Sequence, residues 1–204
     1  MIVKEEATSI CGTTAYLKPG DQVSYLQLLY GMMLPSGNDA AYTLAQNFGM
    51  TLLNTKYEGY STIKRNKIKS FMFPNNVISF FLHEMNIQAK ELGMIESYFD
   101  SPHGLSNKNN VSTINDLAKL TLKCMQIPLF RQIVGTSYLE TYSFNPNKKT
   151  RYRWKSSNKL LGTTKNAKTG KLVPICEGTK GCKTGITDSA GCCFAGYFER
   201  DIDG

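Results

Sequence analysis

The sequence lacks several features that would narrow its function at once. It contains no run of about 18 apolar residues, the length that a membrane-spanning helix needs. Its first residues, Met1 to Glu6, have neither a basic start nor an apolar stretch, so we expect no secretion signal in this chain. These residues alone leave the localisation unknown.

Metal-binding patterns are missing as well. The six cysteines form no Cys-x-x-Cys pair, and the group Cys176, Cys182, Cys192 and Cys193 does not have zinc-site spacing. We therefore expect no metal and no cofactor. Small buried thiols are the default interpretation, and a disulfide from Cys182 to Cys192 or Cys193 stays open.

Acidic residues are nearly absent from one long stretch. Residues 145–183 hold eleven Lys or Arg and the single acid Glu177, a local balance of +10 in a chain of net charge +8. Such a band can attract nucleic acid, anionic polymers or carboxylate-bearing substrates, but a solvated basic face without a specific partner is the favoured interpretation. Because no zinc-finger, helix-turn-helix or RNP-type pattern is present, we do not expect nucleic acid as a partner.

The 204 residues suffice for one domain with a buried core. Up to residue 135 the apolar spacing is mostly helical. A capping box of Ser24 and Gln27 predicts one helix, and a second is expected to begin at Asn38 or Asp39 and to close at Gly49. Further helices are expected from Ile78, after Thr113 and from Pro128. Residues 54–76 are polar with poor periodicity and indicate an insertion.

After Gly135 the period changes to two, which is typical of strands. Residues 138–144 and 151–154 are expected to form a hairpin, in which Trp154, the single tryptophan, packs inward. Two more paired strands are expected at 183–187 and 191–199. The chain ends on Asp203-Gly204, a dipeptide typical of hairpin turns, so we expect that a returning strand has been cut off.

Two short motifs carry the chemistry. Ser36-Gly37-Asn38 lies in a polar loop between two helices, whose rigid flanks would hold its side chains in place. Lys183-Thr184-Gly185 begins a strand and sets a cation beside a glycine. Ser-x-Asn and Lys-Thr-Gly occur together with Ser-x-x-Lys in penicillin-binding proteins and β-lactamases.

An ordered series of segments extends this likeness over most of the chain. The sequence resembles the serine-type D-alanyl-D-alanine carboxypeptidases, the low-molecular-mass penicillin-binding proteins of the β-lactamase/transpeptidase-like superfamily. The segments that carry the resemblance include Leu28–Ala41, Ala89–Met94, Pro102–Leu105, Asn158–Leu161 and Lys183–Thr187. It implies an α+β fold in which an antiparallel sheet packs with helices and a helical lobe. Residues 1–204 would then be a partial domain, truncated at both ends.

The resemblance also implies roles for individual residues in acyl transfer to peptidoglycan stem peptides. Ser36 would relay a proton to the leaving amine, and Asn38 would hold the substrate amide. Lys183 and Thr184 would bind the terminal carboxylate beside Gly185, and the amide of Ile186 would be an oxyanion donor. Members of the family act outside the cytoplasm and bind β-lactams. This chain would bind β-lactams only with its nucleophile restored.

The nucleophile motif is the departure from the family pattern. Ser-x-x-Lys should precede Ser36, and none occurs there. Ser61–Lys64 lies in the polar insertion and Ser156–Lys159 in an asparagine stretch, so we interpret both as accidental matches. Lys168-Thr169-Gly170 is likewise expected to be accidental, because no strand pattern follows it. The chain alone is therefore expected to be inactive.

Two alternatives remain beside a truncated carboxypeptidase domain. One is a pseudoenzyme that uses the same cleft to bind wall peptide or another ligand without turnover. The other is a β-lactamase, which is less favoured because the series around Ser36 matches the carboxypeptidases and no deacylating glutamate can be located.

Overall fold

The computed structural model describes residues 1–56 and 77–200. The described part has six α-helices and a short 3₁₀ helix at Lys159–Leu161. The helices are α1 (Glu5–Thr8), α2 (Tyr25–Met33), α3 (Asn38–Lys56), α4 (Val77–Glu91), α5 (Ile114–Met125) and α6 (Pro128–Val134). No helix in this part is long and apolar enough to cross a membrane.

Helix starts follow the capping residues. The Ser24 side chain accepts from the Gln27 amide and the Gln27 side chain accepts from the Ser24 amide, so the expected capping box is confirmed. Thr113 caps α5 by accepting from the Asp116 amide. Pro128 begins α6, where its missing N–H costs no hydrogen bond.

The predicted end of α3 at Gly49 is wrong, because the helix continues to Lys56. Gly49 is buried against α4, where an added Cβ would lie 2.8 Å from both the Cγ1 atom and the carbonyl oxygen of Val77. The glycine therefore permits close helix packing instead of ending the helix. The predicted insertion consequently overlaps α3 at 54–56, and its remainder, 57–76, lies outside the described residues.

The strands form three two-stranded antiparallel sheets within the described residues. Strand β1 (Tyr138–Tyr142) pairs with β2 (Arg151–Lys155), β3 (Thr163–Lys165) with β4 (Leu172–Pro174), and β5 (Thr179–Thr187) with β6 (Gly191–Phe198). Both hairpins expected from the period of two are present. The arrangement is α+β, as expected.

The main core joins the helices to the first hairpin. Trp154 is only 2% exposed, stacks on Tyr152 and donates from Nε1 to the Ala15 carbonyl oxygen at 2.8 Å. The Tyr152 hydroxyl donates to the carboxylate of buried Asp21. Burial, followed by this bond, raises the pKa of Tyr152, so the phenol stays neutral. The expected inward packing of Trp154 is confirmed.

The six cysteines are free thiols in the structure. Cys182 is buried against Met125 and Val134. In the hairpin it faces Gly196, while Cys192 and Cys193 face Ile186 and Gly185. This register sets neither Cys192 nor Cys193 opposite Cys182.

Candidate active site

The loop that carries Ser36 is held from several sides. The Gly37 amide donates to the Gly31 carbonyl and the Asn38 amide to the Thr13 carbonyl, while Thr13 Oγ1 donates to the Ser36 carbonyl at 2.5 Å. Ser36 has a φ of 61°, a left-handed conformation that non-glycine residues adopt at a cost. The surrounding bonds keep the Ser36 side chain in one place.

Asp39, the next acidic residue along, anchors the segment that lies beside this loop. Its buried carboxylate accepts from the Ala15 amide at 2.8 Å, the Leu17 amide at 3.0 Å and Thr14 Oγ1 at 2.7 Å. It also accepts from the amide of Ala40 at the start of α3. Asp39 thereby fixes residues 13–17 against the helix that follows Ser36.

Lys183 reaches this loop from β5. Its Nζ atom donates to Ser36 Oγ at 2.6 Å and to the Thr184 carbonyl at 2.5 Å. Burial lowers the pKa of Lys183 to about 8. At pH 7 roughly nine in ten molecules therefore carry the charge. The two predicted motifs thus meet through an ammonium group that is ready to attract an anion.

A third segment joins them, and sequence reasoning missed it. Ser157 Oγ lies 2.6 Å from Thr184 Oγ1, and the Ser157 amide donates to the Leu34 carbonyl. Ser157 therefore links the strand of Lys183 to the end of α2. Its only signal in the sequence is its place in Ser156–Lys159, which matches Ser-x-x-Lys and is interpreted above as accidental.

The other predicted site residues lie on the same loop and strand, and we call the surface between the Ser36 loop and β5 the Lys183 cleft. Asn38 is 5% exposed, and its Nδ2 atom donates to the Cys11 carbonyl at 2.8 Å. Gly185 is exposed, and a Cβ added to it would meet only the Cys193 Cβ atom, at 3.9 Å. The Ile186 side chain is 70% exposed. The surface of β5 beside Gly185 is consequently open to a ligand.

Hydrogen bonds between hydroxyl groups connect the C-terminal end of β5 to the loop that follows α4. Ser106 Oγ donates to Thr187 Oγ1 at 2.9 Å and accepts from Ser189 Oγ at 2.9 Å. The same loop holds His103, whose Nδ1 accepts from the Leu105 amide. Burial lowers the pKa of His103, which keeps the ring neutral and fits a packed loop histidine.

The two accidental motif matches within the described residues do not form a second site. Lys159 is exposed on the 3₁₀ helix, and Ser156 Oγ accepts from the Asn158 amide. Lys168–Gly170 lies in the turn between β3 and β4. The expectation that no strand follows it is wrong, because residues 172–174 form one, but that strand has only three residues. Ser61–Lys64 lies outside the described residues.

No group of three or more His, Cys, Asp or Glu side chains that could hold a metal occurs in the described ranges 1–56 and 77–200. The polar groups gathered here are one ammonium, hydroxyls and amides. Chemically, such a set can bind a carboxylate, hold a peptide backbone and pass a proton through Ser36.

Comparisons with known proteins identify related families and sequences. A family model described as D-alanyl-D-alanine carboxypeptidase matches residues 78–201, and one described as a β-lactamase enzyme family matches residues 1–137. The D-alanyl-D-alanine carboxypeptidase of Streptomyces sp. (strain K15) is 35% identical over 182 residues, 84% of this chain. The D-alanyl-D-alanine carboxypeptidase DacF of Bacillus subtilis (strain 168) is 26% identical over 190 residues, 93% of this chain.

A solved structure is also similar. The crystal structure of the Streptomyces K15 DD-transpeptidase superposes with a TM-score of 0.72 at 30% identity and covers 98% of this chain. The likeness confirms a β-lactamase/transpeptidase-like fold. The chain spans 66% of that structure, and 56% and 38% of the lengths of the Streptomyces and Bacillus carboxypeptidases.

Proposed function

The chain belongs to the D-alanyl-D-alanine carboxypeptidase family, and from this we propose that it is part of a serine-type enzyme that removes the terminal D-alanine from peptidoglycan stem peptides. The observation that carries the proposal is the contact between Lys183 Nζ and Ser36 Oγ at 2.6 Å. It brings two of the three motifs of such an enzyme into one cleft.

Lys183 and Thr184 would bind the substrate's terminal carboxylate. The ammonium supplies the positive potential, and the Thr184 hydroxyl, held by Ser157, can donate to a carboxylate oxygen. The open surface beside Gly185 leaves room for an extended peptide along β5. Asn38 would hold a substrate amide after exchanging its present bond to the Cys11 carbonyl.

Ser36 would pass a proton to the leaving group. Its oxygen accepts a hydrogen bond from Lys183, so its own hydrogen is free to point into the cleft. When a nucleophilic serine attacks the peptide carbonyl, the C–N bond breaks and the leaving amine needs a proton. Ser36 can give that proton and recover one from Lys183. The amide of Ile186 would stabilise the oxyanion.

The nucleophile in this scheme is a Ser-x-x-Lys serine that residues 1–204 do not supply before Ser36. Ser156 and Lys159 do not replace it, because that lysine is exposed and that hydroxyl is engaged with the backbone. We therefore propose that this chain by itself is not acylated. In a longer chain that carries the motif, β-lactams would acylate the same serine, outside the cytoplasm.

A second candidate is a pseudoenzyme that binds wall peptide without turnover. It is favoured by one observation: the groups that would bind a carboxylate are already positioned by contacts among the residues of this chain. Such a cleft can hold a ligand even where no nucleophile faces it.

Release of D-alanine from a D-Ala-D-Ala-terminated peptide distinguishes the carboxypeptidase from the pseudoenzyme. A chain extended at its N-terminus by a Ser-x-x-Lys segment should release D-alanine, and Ser36→Ala in it should slow release by about 100-fold. The shorter chain should bind the peptide without release. An extended chain that binds the peptide and leaves it intact would favour the pseudoenzyme.

A further inference from the structure

A second groove lies beside β2, apart from the Lys183 cleft. Its volume is about 330 Å³, and one of its walls is the segment that Asp39 anchors. The other wall is β2 with the residue before it. The lining residues are Ala15, Tyr16, Lys18, Thr150, Arg151, Tyr152 and Arg153.

The edge of β2 that does not face β1 has backbone groups that bond to none of the described residues. The Ser143 amide donates to the Thr150 carbonyl and the Ser156 amide to the Ser137 carbonyl, which marks these as the hydrogen-bonded pairs of the ladder. Such pairs alternate with non-bonded ones in an antiparallel sheet. By this alternation, Arg151 and Arg153 point their N–H and C=O groups away from β1. No turn or loop bond in the described part of the chain reaches those groups.

The groove carries an excess of positive charge. Lys18 has no ion pair among the described residues, whereas Arg151 and Arg153 share the carboxylate of Glu140, at 2.6 and 3.2 Å. The hydrogen bond from Arg151, with that from Arg153, lowers the pKa of Glu140 to about 2. Three cations therefore face one carboxylate among the exposed charges of the groove, while the carboxylates of Asp21 and Asp39 are buried behind its lining and accept hydrogen bonds there.

Tyr16 completes the wall in an unusual conformation. Its φ is 59° and its side chain is 72% exposed, which is rare for a bulky residue. The cause lies in its neighbours, because the Ala15 and Leu17 amides both bond to Asp39 and turn Tyr16 outward. The strained backbone therefore presents an aromatic side chain next to Lys18, on the wall opposite β2.

We propose that this groove binds an extended acidic peptide, which adds to the edge of β2 as a further strand. The backbone of Arg151 and Arg153 would exchange hydrogen bonds with the peptide, as in other cases of strand addition. The peptide's carboxylates would lie near Lys18 and the two guanidinium groups, and its apolar side chains near Tyr16. Binding here involves none of the residues of the Lys183 cleft and needs no nucleophile.

The probe is a fluorescein-labelled peptide of alternating Glu and Val, with its affinity for the chain measured by fluorescence anisotropy. The double variant Lys18→Gln/Arg153→Gln should bind the peptide at least about five-fold more weakly. The control is Lys148→Gln/Lys149→Gln, which removes the same charge from the exposed hairpin tip and should change the affinity less than about two-fold. Equal losses in the two double variants would show attraction to the basic band as a whole and overturn the proposal.

Strand pairing is tested with a peptide of alternating Glu and Pro, which has the same charge but lacks half of the donors. It should bind at least ten-fold more weakly than the Glu-Val peptide. Equal binding of the two peptides would contradict strand addition. Loss of binding in Lys183→Gln, with Lys18→Gln/Arg153→Gln unaffected, would assign the peptide to the other cleft.

Discussion

The ammonium of Lys183 donates a hydrogen bond to the hydroxyl oxygen of Ser36 across 147 positions of sequence. One residue lies on a β-strand and the other in a loop between two helices. The contact therefore joins the sheet part of the molecule to its helical part. Lys183 Nζ has two neutral acceptors, Ser36 Oγ and the Thr184 carbonyl, and no carboxylate bonds to it among the described residues.

Replacing Lys183 with methionine removes this charge and keeps the aliphatic bulk. We expect the affinity for a D-alanine-terminated peptide to fall by roughly ten-fold or more, since a hydrogen bond to a charged group contributes about 1.5–3 kcal/mol. Lys180→Met is the matched control, because Lys180 is exposed on the same strand. Isothermal titration of both variants measures the difference, and an unchanged affinity in Lys183→Met would remove the lysine from the binding site.

The pH dependence of binding follows from the lowered pKa of Lys183. In the free protein the ammonium deprotonates near pH 8, so carboxylate binding should weaken as pH rises from 7 to 9. Folding stability changes with pH in the opposite direction to binding, because Lys183 keeps its proton up to a higher pH in the unfolded chain than in the folded one. The contribution of Lys183 to folding stability should increase as pH rises from about 8 to about 10. Affinity that stays constant up to pH 10 would contradict the lowered pKa.

Asp39 should be important for folding as well as for the site. Asp39→Ala leaves the Ala15 and Leu17 amides without their partner, so we expect a loss of about 3 kcal/mol in the free energy of unfolding. Asp188→Ala, at an exposed position in the β5–β6 turn, should cost less than about 0.5 kcal/mol. Urea unfolding measures the free energy of unfolding of both variants. Equal losses would show that the hydrogen bonds of Asp39 add no more stability than an exposed aspartate does.

Gly37 lies between Ser36 and Asn38, the two predicted site residues of its motif, and has no room for a side chain. An added Cβ would lie 2.7 Å from the Ala15 Cβ atom, the Ala15 amide nitrogen and the Gly31 carbonyl oxygen. Gly37→Ala should therefore destabilise the fold by about 1–3 kcal/mol through overpacking. Gly185→Ala, whose added Cβ has space, should leave the thermal midpoint nearly unchanged. A Gly37→Ala variant as stable as the parent would show that the loop relaxes freely.

Features set by neighbouring residues were predictable from the sequence. The start of α2 follows from a capping box, and the start of α5 follows from a threonine that caps the amide three residues later. The β1–β2 hairpin follows from alternation on both sides of a turn. The role of Gly49 was not predictable in this way. A glycine can end a helix or admit a neighbouring helix, and only the distant Val77 decides between the two.

The candidate site likewise has parts that the sequence predicts and parts that it does not. Ser36 and Lys183 were singled out by motif, and the resemblance to a family suggested that they meet, but no local pattern specifies a contact over this separation. Ser157 was missed because its role depends on the hydroxyl of Thr184, far along the chain. The β2 groove was also unpredictable, since its walls come together only through Asp39 and the packing of Trp154 on Ala15.

The central claim is that residues 1–204 provide two walls of a carboxypeptidase cleft without its nucleophile. Labelling with a fluorescent penicillin, followed by denaturing electrophoresis, tests it directly. The account predicts no covalent label on this chain and a strong label on a longer chain that carries Ser-x-x-Lys before Ser36. A stable label on this chain, lost in Ser61→Ala or Ser156→Ala, would contradict it and identify a nucleophile within these residues.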